Sequence, residues 1–199
     1  MDSTLPLTPR PNPTTAGSSR PRPIAEAPES MERAVELLRT STALSELGGA
    51  EARCIVGYMK VVSYPAGATL LREGDQTDTG YMLLVLQGDV SVETVDASAA
   101  DPVAVSVLGP GSLIGEMGLL DGAPRSMSCL AATRIEAAGL SREALELLID
   151  EHPRVGAKLM TAISQRLADR LRAAGLQMRI YTQLVSEMQA QINALKRRG

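Results

Sequence analysis

Met31, Val35 and Leu38, followed by Leu44 and Leu47, place apolar side chains at the three-to-four-residue interval of an α-helix. Ser30 stands where such a helix needs an N-cap, but Arg33 occupies the position at which a capping box needs Glu or Gln. Gly48 and Gly49 end this pattern, and a second short helix over residues 50–59 offers Cys54, Ile55 and Tyr58 to a core. From Val61 the period changes. β-Type runs at residues 61–64, 69–71, 81–86, 90–92, 103–108 and 128–135 are separated by turn clusters such as Pro65-Ala66-Gly67, Glu73-Gly74-Asp75 and Gln87-Gly88-Asp89. A polar, Ala/Ser-rich loop covers residues 96–101. Short strands punctuated this often by Gly and Asp predict a small barrel or jelly roll.

Helical spacing returns at Ser141, an N-cap with Glu143 in the first turn, for a helix reaching residue 149. Pro153 suits the first turn of a longer helix, in which Val155, Leu159, Ile163, Leu167 and Leu171 recur at spacing four. Gly175 is expected to loosen that helix. Beyond it Tyr181, Leu184, Met188, Gln191 and Leu195 follow a heptad rhythm. A long helix striped with Leu and Ile needs a second surface, and self-association into a homodimer is the expectation.

Composition narrows the picture. Of 199 residues, 44% are hydrophobic, enough for a real core, but there are four Tyr, no Phe and no Trp. The core must be aliphatic, and the aromatic platforms on which nucleic-acid bases stack are lacking. Residues 1–28 hold most of the prolines among Ser, Thr and Arg, without period, and read as a disordered arm. The chain therefore divides into an arm (residues 1–29), a domain (30–175) and a helical extension (176–199). The net charge of −3 hides a split: from Arg154 onward nine Lys/Arg face two acids. That basic end reads either as a solvated helical face or as a contact for an acidic partner. Cys54, Cys129 and the lone His152 lack metal-ligand spacing, so no metal is expected. No Ser–His–acid set or Walker-type loop is present, which argues against an enzyme and leaves no catalytic residue to name. Without a signal peptide or a membrane-length apolar run, the expected location is cytoplasmic.

The chemistry concentrates in residues 109–126. Gly115 lets backbone approach a ligand closely. Met117 opens a helical turn whose free N–H groups could face an anion. Arg125, set by Pro124, offers a planar fork of donors suited to phosphate, and Ser126 adds a hydroxyl. Glu116 accepts from hydroxyls such as those of ribose. A turn between strands with a surface Arg–Glu pair accounts for the same residues.

The run Gly115-Glu116-x-Gly-Leu-Leu-x-Gly-x-Pro-Arg125-Ser126 resembles the phosphate-binding cassette of the cyclic nucleotide-binding domain family. That family includes catabolite activator proteins, kinase regulatory subunits and nucleotide-gated channels. The similarity extends over residues 37–174 and takes in the Gly67 turn, Glu73-Gly74-Asp75, Gln87-Gly88-Asp89-Val90 and His152-Pro153. It implies an α+β fold: an antiparallel β-roll of jelly-roll or cupin-like type, flanked by N-terminal helices and a long C-terminal helix with a helical extension. Arg125 would pair with the cyclic phosphate of cAMP or cGMP, and Glu116 would hold the ribose 2′-hydroxyl. The backbones of Gly115 and Ser126 would complete the cradle beside Met117. Arg170 falls where such helices touch the base, and Arg166, one turn earlier, is placed to pair with Glu116. For either arginine a solvated helical position is the alternative.

Ile114 departs from the Phe common among relatives. Transcription factors of the family carry a helix-turn-helix after the long helix, and the sequence leaves no room for one before Gly199. The expected function is a regulatory sensor with no cofactor, binding a cyclic mononucleotide and signalling to a dimer or protein effector. The competing expectation is an interaction module that keeps the roll, has lost the ligand and acts through its C-terminal helix. Retention of both Glu116 and Arg125 favours the sensor.

Overall fold

The computed structural model describes residues 18–40, 47–94 and 103–196. In chain order it contains β1 (Arg22–Pro23), α1 (Pro28–Thr40), α2 (Gly49–Gly57), β2 (Lys60–Tyr64), β3 (Thr69–Leu71), β4 (Tyr81–Gln87) and β5 (Val90–Thr94). There follow β6 (Val103–Leu108), β7 (Leu113–Ile114), α3 (Glu116–Asp121), β8 (Ser128–Ala131), β9 (Ile135–Ser141), α4 (Arg142–Glu151) and α5 (Pro153–Lys196). All pairings are antiparallel, in one sheet ordered β1-β2-β9-β4-β7 and another ordered β3-β8-β5-β6. The expected β-roll flanked by helices is the fold observed.

β4 explains how the halves cohere. Met82, Leu84 and Leu86 face the helices, where they join Leu38, Ile55, Leu148, Leu159 and Ile163 in one core. Leu83 and Val85 point the other way, into the roll, against Val90, Ile114, Ile135 and Ala137. A strand covered on both faces reads as an unbroken apolar run, which is what residues 82–86 show.

Three expectations need correction. Residues 128–135 form not one strand but β8 and β9, in different sheets, joined by a turn at residues 132–134. The Asp89 carbonyl accepts from the N–H groups of Ala132 and Thr133, so a distant loop shapes a turn that carries no Gly or Pro. The last part of the expected arm is packed, with Arg22 and Pro23 paired to Val61 and Lys60 and Ile24 fully buried, while residues 1–17 lie outside the described residues. Proline is tolerated there because β1 is an edge strand. Helix α1 opens at Pro28, whose fixed φ suits a first turn, and Ser30 instead donates from its hydroxyl to Glu136 at 2.8 Å. The helix α5 runs 44 residues through Gly175 without interruption. One glycine costs a helix about 1 kcal/mol relative to Ala, too little to break so long a run. Leu44 and the loop at residues 96–101 lie outside the described residues.

The two helix starts at Ser141 and Pro153 are as expected, with Ser141 Oγ accepting from Ala144 N at 3.3 Å. A Cβ added at Gly175 meets no atom within 4 Å. Gly175→Ala is therefore expected to tighten α5 by up to about 1 kcal/mol, read as slower amide exchange around residues 171–180. Faster exchange there would show that the glycine serves the helix.

Candidate functional site

β7 ends at Ile114, and Gly115 turns the chain into α3 with φ 79°, a left-handed value that favours glycine. Gly122, at φ 69°, ends that helix in the same way. Past Pro124 the backbone of Arg125 is clamped by the turn at residues 73–75: its N–H donates to Asp75 O at 3.0 Å, and its carbonyl accepts from Gly74 N at 2.8 Å.

That clamp sends the Arg125 side chain inward, leaving the residue only 5% exposed. Nη1 donates to the carbonyls of Tyr81 (3.0 Å) and Gly115 (2.9 Å), and Nη2 donates to the carbonyl of Asp78 (2.9 Å). The Tyr81 ring lies 4.5 Å from the guanidinium carbon, a cation–π contact. Among the described residues no carboxylate forms an ion pair with Arg125, and its Nε–H has no acceptor. A buried cation held by dipoles alone, with a donor left over, is an electrostatic deficit that an anion would remove.

Two glycines make room for it. A Cβ at Gly115 would lie 2.8 Å from Arg125 Nη1, and one at Gly118 would lie 2.9 Å from the same atom and 2.8 Å from Thr79 O. The sequence suggests that Gly115 opens the backbone to a ligand; here the space is filled by the guanidinium.

Glu116 is buried, and its Oε1 accepts from Arg170 Nη1 on α5. Arg166, expected to be its partner, is not: its Nε is buried without an acceptor. Burial pulls the Arg166 pKa below its ordinary value, with the Glu116 charge opposing that shift and Arg170 adding to it. Ser126 Oγ lies 3.9 Å from Met117 Sδ, and both residues are exposed at the rim. Below them Cys129 is buried, and desolvation first, then the Glu116 charge, push its thiol pKa up to about 11.

Gly115, Glu116, Met117, Arg125, Ser126 and Arg170 thus line one cleft between the roll and α5. Its free space is about 50 Å³, room for water but not a nucleotide. The Arg170–Glu116 contact ties α5 to the cassette at this cleft.

A family model described as the cyclic nucleotide-binding domain matches residues 61–152. The solved cyclic nucleotide-binding domain from Methylobacillus flagellatus is 34% identical, with a TM-score of 0.65, covering 74% of this chain and 81% of that one. The chain belongs to the cyclic nucleotide-binding domain family. The catabolite activator protein of Thermus thermophilus superposes on this cyclic nucleotide-binding domain with a TM-score of 0.61 at 31% identity, covering 70% of this chain and 62% of that one. A CRP-like cAMP-activated global transcriptional regulator of Mycobacterium tuberculosis is 26% identical over 109 residues, 55% of this chain and 47% of the regulator. The chain spans about half or less of the length of the curated relatives it matches.

Within this cyclic nucleotide-binding domain, residues that motif reading missed hold the cassette from behind. Arg142, at the start of α4, donates from Nη2 to Gly118 O (3.0 Å) and from Nη1 to Leu120 O (3.4 Å), adding to the Gly122 N–H that also caps Gly118 O at the carbonyl end of α3. Thr79 Oγ1 donates to Gly122 O at 3.2 Å. No local signal marks either residue, because each acts across long sequence separation. Gly118→Ala is expected to shift both Arg125 and the segment of Thr79, destabilising the fold by roughly 1–3 kcal/mol. Chemical denaturation checks it. An unchanged midpoint would show that the cassette has slack the structure does not display.

Proposed function

We propose that this chain is a cyclic-nucleotide sensor in which the anionic diester completes the charge of Arg125 and α5 carries the consequence outward. The supporting observation is the buried Arg125 guanidinium, which has no counter-charge among the described residues and an Nε–H without an acceptor, in a residue that lines one cleft with the rest of the cassette. The cyclic phosphate supplies the missing negative charge, with charge-assisted bonds contributing about 1.5–3 kcal/mol each. The ribose hydroxyl competes with Arg170 for Glu116, so ligand entry loosens the contact holding α5 over the cleft. cAMP and cGMP are the ligands proposed, since cassette and ribose contacts suit both. The chemistry asked of the site is binding alone, with no cofactor. No described helix is long and apolar enough to cross a membrane, and a cytoplasmic location is part of the proposal.

The output end of α5 takes a better register than spacing alone suggested. Leu171, Met178, Val185 and Ile192 recur every seventh residue, with Ala174, Tyr181, Met188 and Leu195 at the intervening coiled-coil positions. Leu171, Met178, Tyr181, Val185, Met188 and Ile192 are all exposed large side chains. Residues 176–199 are accordingly proposed as an association extension that builds a homodimer, with a protein effector reading the α5 position.

Amide exchange on the full chain tests the proposal. With cAMP, protection should rise in residues 116–121 and change along α5 near Arg166 and Arg170. Protection confined to the cassette would refute transmission through the helix. No change anywhere would refute binding.

A further inference from the structure

Apart from the cassette cleft, the flank of the roll carries a groove of about 560 Å³. Three of the chain's four tyrosines, Tyr58, Tyr64 and Tyr81, line it together with Val62, Leu83 and Leu147. Leu147 stands 49% exposed at its edge. Asp78 and Glu143 supply acidic groups to the same wall against a single lysine, Lys60. None of the cassette residues expected to hold nucleotide belongs to this groove.

The chain itself enters the described structure at the rim. Ser18 and Pro21 are part of the lining. Ser19 N donates to Ser63 O at 2.9 Å, and Ser63 N donates to Ser19 Oγ at 2.9 Å, which pins the entering strand beside Tyr64. The 17 residues before Ser18 lie outside the described structure, and they carry Leu5-Pro6-Leu7-Thr8-Pro9-Arg10-Pro11-Asn12-Pro13. Pro-x-x-Pro segments favour the polyproline II helix, with three residues per turn and about 3.1 Å per residue. Aromatic-lined grooves recognise that conformation because it is formed before binding and loses little entropy. At that periodicity Pro6 and Pro9 share one edge while Leu7 and Arg10 share the next, an apolar ridge ending in a cation. The groove offers the complement: tyrosine and leucine surface with carboxylates at its wall.

We propose that this tyrosine-lined groove is the docking site for the chain's own proline-rich N-terminal segment, residues 5–13, bound as a polyproline II helix. Tethering at Ser19 makes the contact intramolecular, so the effective concentration is in the millimolar range for a short linker and a weak intrinsic affinity suffices. The groove shares a wall with the Arg125 cradle, because Asp78 and Tyr81 line it and also hold the guanidinium through their carbonyls. Docking and nucleotide binding are therefore structural neighbours.

The test uses the full chain carrying Leu7→Trp, which introduces its sole tryptophan. Docking predicts blue-shifted emission, tyrosine-to-tryptophan energy transfer, and acrylamide quenching several-fold weaker than for the same segment as a free peptide. Leu147→Glu, at an exposed edge position, is expected to restore full quenching with unchanged far-ultraviolet circular dichroism. Pro6→Ala with Pro9→Ala is expected to do the same without touching the folded domain. A tryptophan as quenchable as in the free peptide overturns the proposal. So does protection that survives both sets of substitutions, or protection lost on dilution, which would place another copy's segment in the groove.

Discussion

Arg125→Ala is expected to abolish the thermal stabilisation proposed for cAMP or cGMP on this chain. A ligand at 100 times its dissociation constant adds about 2.7 kcal/mol to folding stability. For a protein of this size, 1 kcal/mol moves the melting temperature by about 2–4 °C. The wild-type chain should therefore melt roughly 5–10 °C higher with saturating nucleotide, and the variant should not respond. The informative quantity is the ligand-dependent increment, because the variant alone has two opposing changes. It loses the bonds to the carbonyls of Tyr81, Asp78 and Gly115, and it also sheds a buried cation that has no counter-charge among the described residues. Arg125→Lys separates charge from geometry. Lysine keeps the charge but cannot span three carbonyls with a planar fork, so most of the increment should still vanish. A normal shift in either variant would mean that nucleotide is held without this side chain.

Met178→Glu combined with Val185→Glu is expected to convert a dimer into a monomer. Both side chains are exposed on the described chain, at 68% and 65%, so the substitutions should leave the folded domain intact. In a helix pair the same positions face the partner, and burying a large apolar side chain contributes about 1.5–3 kcal/mol. Introducing carboxylates there replaces that gain with desolvation and like-charge repulsion. Sedimentation should show wild-type protein at twice the chain mass and the variant at the chain mass. A wild type that sediments as a monomer would remove the helix from the account of signalling.

What could be read from the residues was what local chemistry dictates. The cassette was legible through its resemblance to a family motif, because glycine, proline and a forked cation in that order equally suit a plain turn between strands. The starts of α4 and α5 were legible because Ser141 and Pro153 act on their own turns. The turn at residues 132–134 was not, since Ala132, Thr133 and Arg134 carry no turn chemistry and the Asp89 carbonyl shapes it from a distance. The choice of Arg170 over Arg166 as the partner of Glu116 depends on how α5 lies across the roll, which spacing within the helix cannot give. The true role of Gly118 was hidden for the same reason, because the atoms it must avoid belong to Thr79 and Arg125. The tyrosine groove was invisible, assembled as it is from residues 18 to 147.

Titration calorimetry of the wild-type chain with cAMP, cGMP and the corresponding linear 5′-monophosphates tests most directly whether Arg125 awaits a cyclic diester. Saturable heat at one nucleotide per chain for a cyclic compound, far weaker for its linear counterpart, is the predicted result. A folded protein that gives no heat with either cyclic nucleotide, or that binds the linear monophosphates equally well, would contradict it.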